Sequence, residues 1–290
     1  YKAMIYKRLR VSEDEYNYIQ VRRLIDKKKF TTLWFSDCHG WLCDHKALGA
    51  INEVLKHNRF DEVGINGDIV DMPFISKHAS KIYEEGVMQG YSEIKEIEHT
   101  KEIILKPLRE ATDANIRIRL GNHDERITKP YNISPTQSNK LQVLHQHYNQ
   151  YHFDKLLGLD VANGWIYDPT ECHTYFDKFD IVHGLKMSPG TAAKRNIEDR
   201  FGSGASGHTH RLQATYITKK NGVYVWLEMG CTRLIEQVEY LPTATVANHQ
   251  HGFVTITFYT EGDKVRFYAK PHFIYDGVTE YNGAIYRSKV

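Results

Sequence analysis

The residues of this chain best equipped for chemistry fall in five short stretches: Asp37-Cys38-His39, Gly67-Asp68, Gly121-Asn122-His123-Asp124, His183-Gly184 and Gly207-His208-Thr209-His210. Each alone is a weak signal. In this order, each at the end of an apolar strand-like run, they offer carboxylate, imidazole and amide donors enough for two metal ions. Such a mixed donor set suits manganese first, with iron, nickel, zinc or magnesium as alternatives; an all-oxygen set would have pointed to magnesium or calcium. Two ions about 3.5–4 Å apart can clamp a phosphoryl group and generate a nucleophile at neutral pH, so phosphoester hydrolysis is the expected chemistry. Holding two dications so close requires an anionic bridge. Asp68, on the tight turn that Gly67 permits, is the expected bridging carboxylate.

A repeated strand-then-polar-loop grammar must position these groups. Thr31 to Phe35 leads into Ser36-Asp37, Val63 to Ile65 into Asn66-Gly67-Asp68, and Ile116, Ile118 and Leu120 alternate before Gly121-Asn122. Helical patterns lie between them: Ala47, Leu48, Ile51, Val54 and Leu55 after a cap at Asp44, then Ile94, Ile97, Ile104 and Leu108. Alternating strand and helix implies a largely parallel sheet, whose ligands bind beyond the carboxyl ends of the strands. Residues 130 to about 177, rich in Tyr, His, Asn and Gln, break the rhythm and read as an insertion bordering the site, with a helix around Leu141, Leu144 and Tyr148. The core resumes at Phe179 to Gly184, followed by a helix from Thr191 to Phe201. Val223 to Leu227, Phe253 to Tyr259 and Val265 to Phe273 alternate like antiparallel strands.

At 290 residues and a formal net charge of +2, the chain can bury a sizeable core and gives no global case for nucleic-acid binding. Its charge is uneven, however. In residues 1–30, Lys2, Lys7, Arg8, Arg10, Arg22, Arg23 and Lys27 to Lys29 outnumber Glu13, Asp14, Glu15 and Asp26. Ser12 and Glu15 have the reciprocal capping pattern, so a basic helix through about Lys28 is expected ahead of a catalytic domain over residues 31–290. No run approaches the roughly 18 apolar residues of a membrane span, and Cys38, Cys43, Cys172 and Cys231 have no disulfide-ladder spacing. A cytoplasmic protein is expected, the host cytoplasm if phage-encoded, with Cys38 packed away from the metals and the oligomeric state open.

The five motifs, read as Ser36-Asp37-Cys38-His39-Gly40, Gly67-Asp68-Ile69-Val70-Asp71, Gly121-Asn122-His123-Asp124, Val182-His183-Gly184 and Gly207-His208-Thr209-His210-Arg211, resemble those of the calcineurin-like metallophosphoesterase superfamily. The resemblance covers roughly residues 31–235. It implies an α/β fold, a four-layer αββα sandwich of two mixed β-sheets. One metal would take Asp37, His39, Asp68 and His210; the other would take Asp68, Asn122, His183 and His208. His123 would face the substrate to protonate the leaving oxygen or stabilise charge, and Asp124 would orient its ring and raise its proton affinity. Asp124 stands where protein Ser/Thr phosphatases carry Glu, and Met72-Pro73 follows Asp71 where they carry Arg-Gly. Both departures lean toward the phosphodiesterase and nuclease branches, with a nucleotide or nucleic acid as substrate.

Several residues carry two readings. Arg126 and Arg211 can reach a substrate phosphate or form structural ion pairs. Asp71 can support a ligand or cap a turn. Clustered aromatics such as Tyr148, Tyr151 and Phe153 can stack on bases or simply pack. His249-Gln250-His251 imitates the spacing of His208-Thr209-His210 but lacks a Gly-led loop, so a pocket-lining part is the most expected of it. Residues 1–30 supply a possible DNA or RNA contact. Two rival functions follow: a phosphomonoesterase acting on nucleotides or phosphoproteins, and a nucleic-acid-binding protein without turnover.

Overall fold

A computed structural model describes residues 28–75, 92–128, 135–148, 152–184, 191–235, 248–262 and 264–290. The expected basic helix lies outside these residues apart from Lys28. Among the described residues, thirteen strands form two sheets, with orders β13-β12-β11-β10-β1-β2-β3-β4 and β5-β6-β7-β9-β8. The first is built on β1 (Lys29–Phe35), β2 (Glu62–Asn66), β3 (Asn115–Arg119) and β4 (Trp165–Asp168), all parallel neighbours. Antiparallel β10 (Gly252–Glu261), β11 (Lys264–Tyr275), β12 (Val278–Tyr281) and β13 (Ala284–Arg287) extend it on the other side of β1. In the second sheet β6 (Phe179–Val182), β7 (Ser203–Ser206) and β9 (Gly222–Met229) run parallel, flanked by antiparallel β5 (His173–Tyr175) and β8 (Leu212–Lys219).

Three apolar layers show how these pieces stack. Because successive strand residues point to opposite faces, β1 sends Leu33 and Phe35 outward and Trp34 inward. Leu33 and Phe35 meet Ala47, Ile51 and Val54 of α1 (His45–His57) and Ile97, Ile104 and Leu108 of a long helical run. Trp34, with Val254, Ile256 and Phe258, packs against Ile181, Ala205, Leu227 and Met229 of the second sheet. On that sheet's outer face Val182 and Trp226 meet Ala193 and Ile197 of α7 (Ala192–Arg200). The order is therefore helix, sheet, sheet, helix, as expected.

Local chemistry accounts for the helix ends. Asp44 caps α1, its carboxylate accepting the Ala47 N–H at 2.9 Å. Ser92 does the same for α2 (Glu93–His99), which continues through a π-helical stretch, Thr100–Leu105, into α3 (Lys106–Ala111). The remaining α-helices among the described residues are α4 (Glu125–Thr128), α5 (Pro135–Tyr148) and α6 (Phe153–Leu156).

The segment expected as an insertion is only partly one. α5 and α6 lie within it, yet β4 and β5 are edge strands of the two sheets, so its final third is integral to the sandwich. The irregular composition hid two strands of four and three residues. A buried polar seam ties these edges together. The Arg117 guanidinium grips Glu62 through two bonds, 2.9 and 3.0 Å, and reaches Asp168 at 3.4 Å. Asp168 also faces His173 at 3.2 Å, and the Tyr175 hydroxyl donates to Glu62. Among the described residues, no helix is long and apolar enough to cross a membrane.

Candidate metal centre

All five motifs follow the carboxyl ends of parallel strands: β1, β2 and β3 in the first sheet, β6 and β7 in the second. The loops are laced together before any side chain is considered. Asp37 N–H donates to the Gly67 carbonyl at 3.1 Å, His39 N–H to Asp68 at 2.9 Å, and Gly40 N–H to Ile69 at 2.9 Å. Gly67, at φ 85°, has no room for a side chain, because a Cβ would lie 2.5 Å from Gly121 N and 2.6 Å from His183 Nδ1. Asp37, His39, Asp68, His208 and His210 all take left-handed backbone, with φ between 50° and 66°. Such values are uncommon for residues with a Cβ and cluster where a site holds side chains in a set direction.

The seven residues expected around two metals are brought to one pocket. Asp37, His39 and His210 form one group, and Asp68, His183 and His208 a second, each with its donor atoms within 4.8 Å of one another. Asn122 joins the second group, its Oδ1 3.3 Å from His183 Nε2. Asp68 stands between them, Oδ2 lying 3.2 Å from His183 Nε2 and 4.0 Å from His39 Nε2.

The hydrogen bonds behind the rings fix what the pocket can hold. Nδ1 of His39 meets the Asp71 carboxylate at 2.8 Å, and Nδ1 of His183 meets the Asn66 carbonyl at 2.7 Å. Each Nδ1 therefore carries a hydrogen, which leaves the Nε2 lone pair facing the pocket. With the Nε2 proton of His183 displaced, Nε2, Asp68 Oδ2 and Asn122 Oδ1 are three neighbouring acceptors. A cation satisfies that arrangement, so the donor set fits divalent metal ions.

Electrostatics agree with this geometry. Burial works against the charged forms of Asp37 and Asp68, yet His210 holds the first carboxyl well below the usual range and His183 holds the second. Burial also opposes protonation of His183, but Asp68 pushes that ring up to about 10. A metal ion at His183 must therefore compete with a proton for Nε2. Cys38, between two donors, turns away: its Sγ lies 3.2 Å from the Thr232 hydroxyl, and burial pushes its thiol up to about 12.

His123 stands at the pocket mouth, its ring edge-on to that of His39 at 4.6 Å and its backbone N–H donating to Asp68 at 2.8 Å. The expected partner for its ring was Asp124, and here the structure differs. Asp124 turns back beneath the loop and accepts backbone N–H groups from Ile69 and Val70, each at 3.1 Å, and from Gly121 at 2.8 Å. Three fixed donors within reach of a short carboxylate outcompete a neighbouring ring. Asp71 takes the role instead, its carboxylate 3.0 Å from His123 Nδ1 and its carbonyl 2.8 Å away. Burial lowers the proton affinity of His123, but Asp68 and Asp71 raise it further, for a net upward shift.

Arg126 is anchored beside His123, one guanidinium nitrogen donating to the Asp71 carbonyl at 2.8 Å. Arg211 is half-buried at the end of the last motif; burial first, and then the charges of His210, Arg233 and Arg211, push His249 down to about 4. Two further residues border the site, one foreshadowed by the sequence and one not. Glu96, fully buried on α2, accepts the N–H of Asp71 at 2.5 Å and of Met72 at 3.1 Å, holding the turn that presents Asp71. His249 lies with its ring 4.7 Å from that of His210. Its pocket-side position was foreshadowed by the His249-Gln250-His251 spacing, whereas Glu96 gave no signal beyond being a carboxylate flanking an apolar helix stripe.

No family model matches the chain. It is similar to the Gene 54 protein of Mycobacterium phage L5, 28% identical over 234 residues, covering 74% of this chain and 83% of that protein. To the Gene 54 protein of Mycobacterium phage D29 it is 29% identical over 243 residues, 77% and 86% of the two chains. Similar solved structures include a conserved uncharacterized protein, a predicted phosphoesterase, from Streptococcus pneumoniae TIGR4 (16% identity, TM-score 0.33, 84% of this chain and 97% of that one). Another is Vps29 of Entamoeba histolytica in complex with zinc (12% identity, TM-score 0.37, 83% and 99%), and a third is PhoD (10% identity, TM-score 0.47, 89% and 68%). The chain's own layer order is the four-layer αββα sandwich of two mixed sheets that its motifs implied, with the five motif loops converging at the ends of its parallel strands.

Proposed function

We propose that this chain is a binuclear metal-dependent phosphodiesterase acting on nucleotides or nucleic acid. The observation that carries the reading is Asp68, one carboxylate placed between two nitrogen and oxygen donor groups, with the His123 imidazole beyond them. Asp37, His39, Asp68 and His210 would hold one ion, and Asp68, Asn122, His183 and His208 the other, with manganese preferred. When bound, two such ions neutralise phosphoryl oxygens and supply a nucleophile at neutral pH. The chain's own residues do the rest. His123 delivers a proton to the departing oxygen, Asp71 keeps its ring oriented and its proton affinity high, and Arg126 offers positive charge on the same side. Asp124 contributes by holding the Asp68 and Asn122 loops in register through backbone N–H groups.

Preference for diesters is supported by Met72-Pro73 after Asp71 and by Asp124 after His123, which depart from the protein-phosphatase pattern. Residues 1–30 add a basic segment suited to a nucleic-acid backbone. The test compares bis(4-nitrophenyl) phosphate with 4-nitrophenyl phosphate under manganese, alongside metal analysis of protein as isolated. Faster hydrolysis of the diester is expected; a strong monoester preference reverses the assignment. Metal-loaded protein that binds DNA with steep salt dependence yet cleaves neither compound would make it a binding protein instead.

A further inference from the structure

His210 differs from the donors His39 and His183 in what stands behind its ring. The Nδ1 atoms of His39 and His183 meet the Asp71 carboxylate and the Asn66 carbonyl. Nδ1 of His210 is buried, yet it has no hydrogen-bond partner among the described residues. The backbone of His210 is also left-handed, at φ 57°. Hydrogen bonds behind ligand imidazoles ordinarily fix how those rings are turned. A ring without one depends on what packs against it.

That packing is a row of four imidazoles. His123, His39, His210 and His249 follow one another with ring centroids 4.6, 5.2 and 4.7 Å apart and planes at 84°, 76° and 70°. Edge-on contacts of this kind are favourable between aromatic rings. The two middle rings are metal donors, and His249 ends the row beyond His210. Main-chain bonds set these last two rings against each other. Gln250 N–H donates to the His210 carbonyl at 2.9 Å, and the Gln250 carbonyl accepts Cys231 N–H at 3.0 Å. The Gln250 side-chain oxygen accepts Leu212 N–H at 3.2 Å. The segment carrying His249 is thereby stitched to the loop carrying His210.

We propose that His249 is a positioning residue for His210, its ring taking the place of the hydrogen bond that His39 and His183 receive from Asp71 and Asn66. The inference rests on the reading of Asp37, His39, Asp68 and His210 as one metal position. It gives the His249-Gln250-His251 segment a part in the centre as a brace for the last donor motif rather than as a further donor. A flat ring is what the role requires, so an apolar ring at this position serves it and a polar chain without a ring does not. Among the described residues no ring contact joins His249 to His183 or His208, so losing the brace falls on one ion of the two.

The test titrates the metal-free full chain with manganese by calorimetry and reads the affinity of each of two binding steps. His249→Ala should weaken one step roughly 10- to 100-fold and leave the other unchanged. His249→Phe should keep both steps, and His249→Gln should behave as His249→Ala. In a His210→Ala background, His249→Ala should add no further loss, because the two changes remove one interaction. Unchanged affinity in His249→Ala, equal weakening of both steps, a full further loss on top of His210→Ala, or rescue by Gln but not by Phe overturns the proposal. Should His249→Ala fail to fold, the comparison of Phe with Gln decides alone. A wild-type chain that takes up two ions yet hydrolyses no phosphoester removes the phosphodiesterase reading and leaves the positioning role standing. One that binds no ion removes both.

Discussion

His123 is held by Asp71 and Arg126, and its ring packs edge-on against His39 beside the metal-binding groups. A ring so placed can give a proton to an outgoing oxygen, and that help matters in proportion to how poor the leaving group is. His123→Ala is therefore expected to slow cleavage of a dinucleotide about 10²- to 10⁴-fold, but 4-nitrophenyl esters far less. Asp71→Asn should reproduce part of the loss, roughly 10- to 100-fold, with both metals retained on analysis. Equal losses on both kinds of ester would show that His123 acts on charge or metal binding rather than on proton delivery.

At the scale of elements, the loops are set by glycines and caps of different consequence. Gly67→Ala puts a methyl group between the β2 and β3 loops and against His183, at a φ that disfavours any side chain. It should cost more than about 1 kcal/mol of stability in urea titration and halve the bound metal. Asp44→Ala removes the cap of α1 and a 3.7 Å contact with His251, costing about 1 kcal/mol with metal content unchanged. Much of this element-level arrangement was readable in advance, because Asp44 precedes an apolar 3.6-residue stripe and Gly67-Asp68 closes an apolar run. The seven candidate donors were legible too, as residue types at strand ends. What could not be read was the contact behind them. Asp71 rather than Asp124 supports His123, a choice decided by where backbone N–H groups happen to point. Glu96 enters the site from a helix nearly thirty residues downstream of Asp68, across a separation that no local pattern spans. β4 and β5 escaped because an edge strand of three or four residues is too short to show alternation.

For the molecule as a whole, the seam joining β2, β3, β4 and β5 is a pH-dependent clasp. Burial favours the neutral acids, yet Arg117 holds Glu62 below its ordinary range, and His173 with Arg117 holds Asp168 well below. Carboxyls depressed in the folded state stabilise it above their unfolded value, about 4, and that contribution disappears as the pH falls through and beneath it. Urea midpoints should accordingly decline between about pH 5 and pH 3. Glu62→Gln, which strands the Arg117 guanidinium, should cost about 3–5 kcal/mol at neutral pH and flatten the acid decline. A decline of unaltered steepness would place the acid sensitivity elsewhere.

The left-handed backbone at Asp37, His39, Asp68, His208 and His210 bears on how quickly the centre trades its ions. Each such residue is wound against its own preference by about 1–2 kcal/mol, and the winding is maintained by main-chain bonds such as His39 N–H to Asp68 that do not involve the donor side chains. The jaws are cocked in advance. Ion turnover is therefore expected to be governed by breaking donor bonds one at a time, with no slow rewinding of loops between departure and recapture.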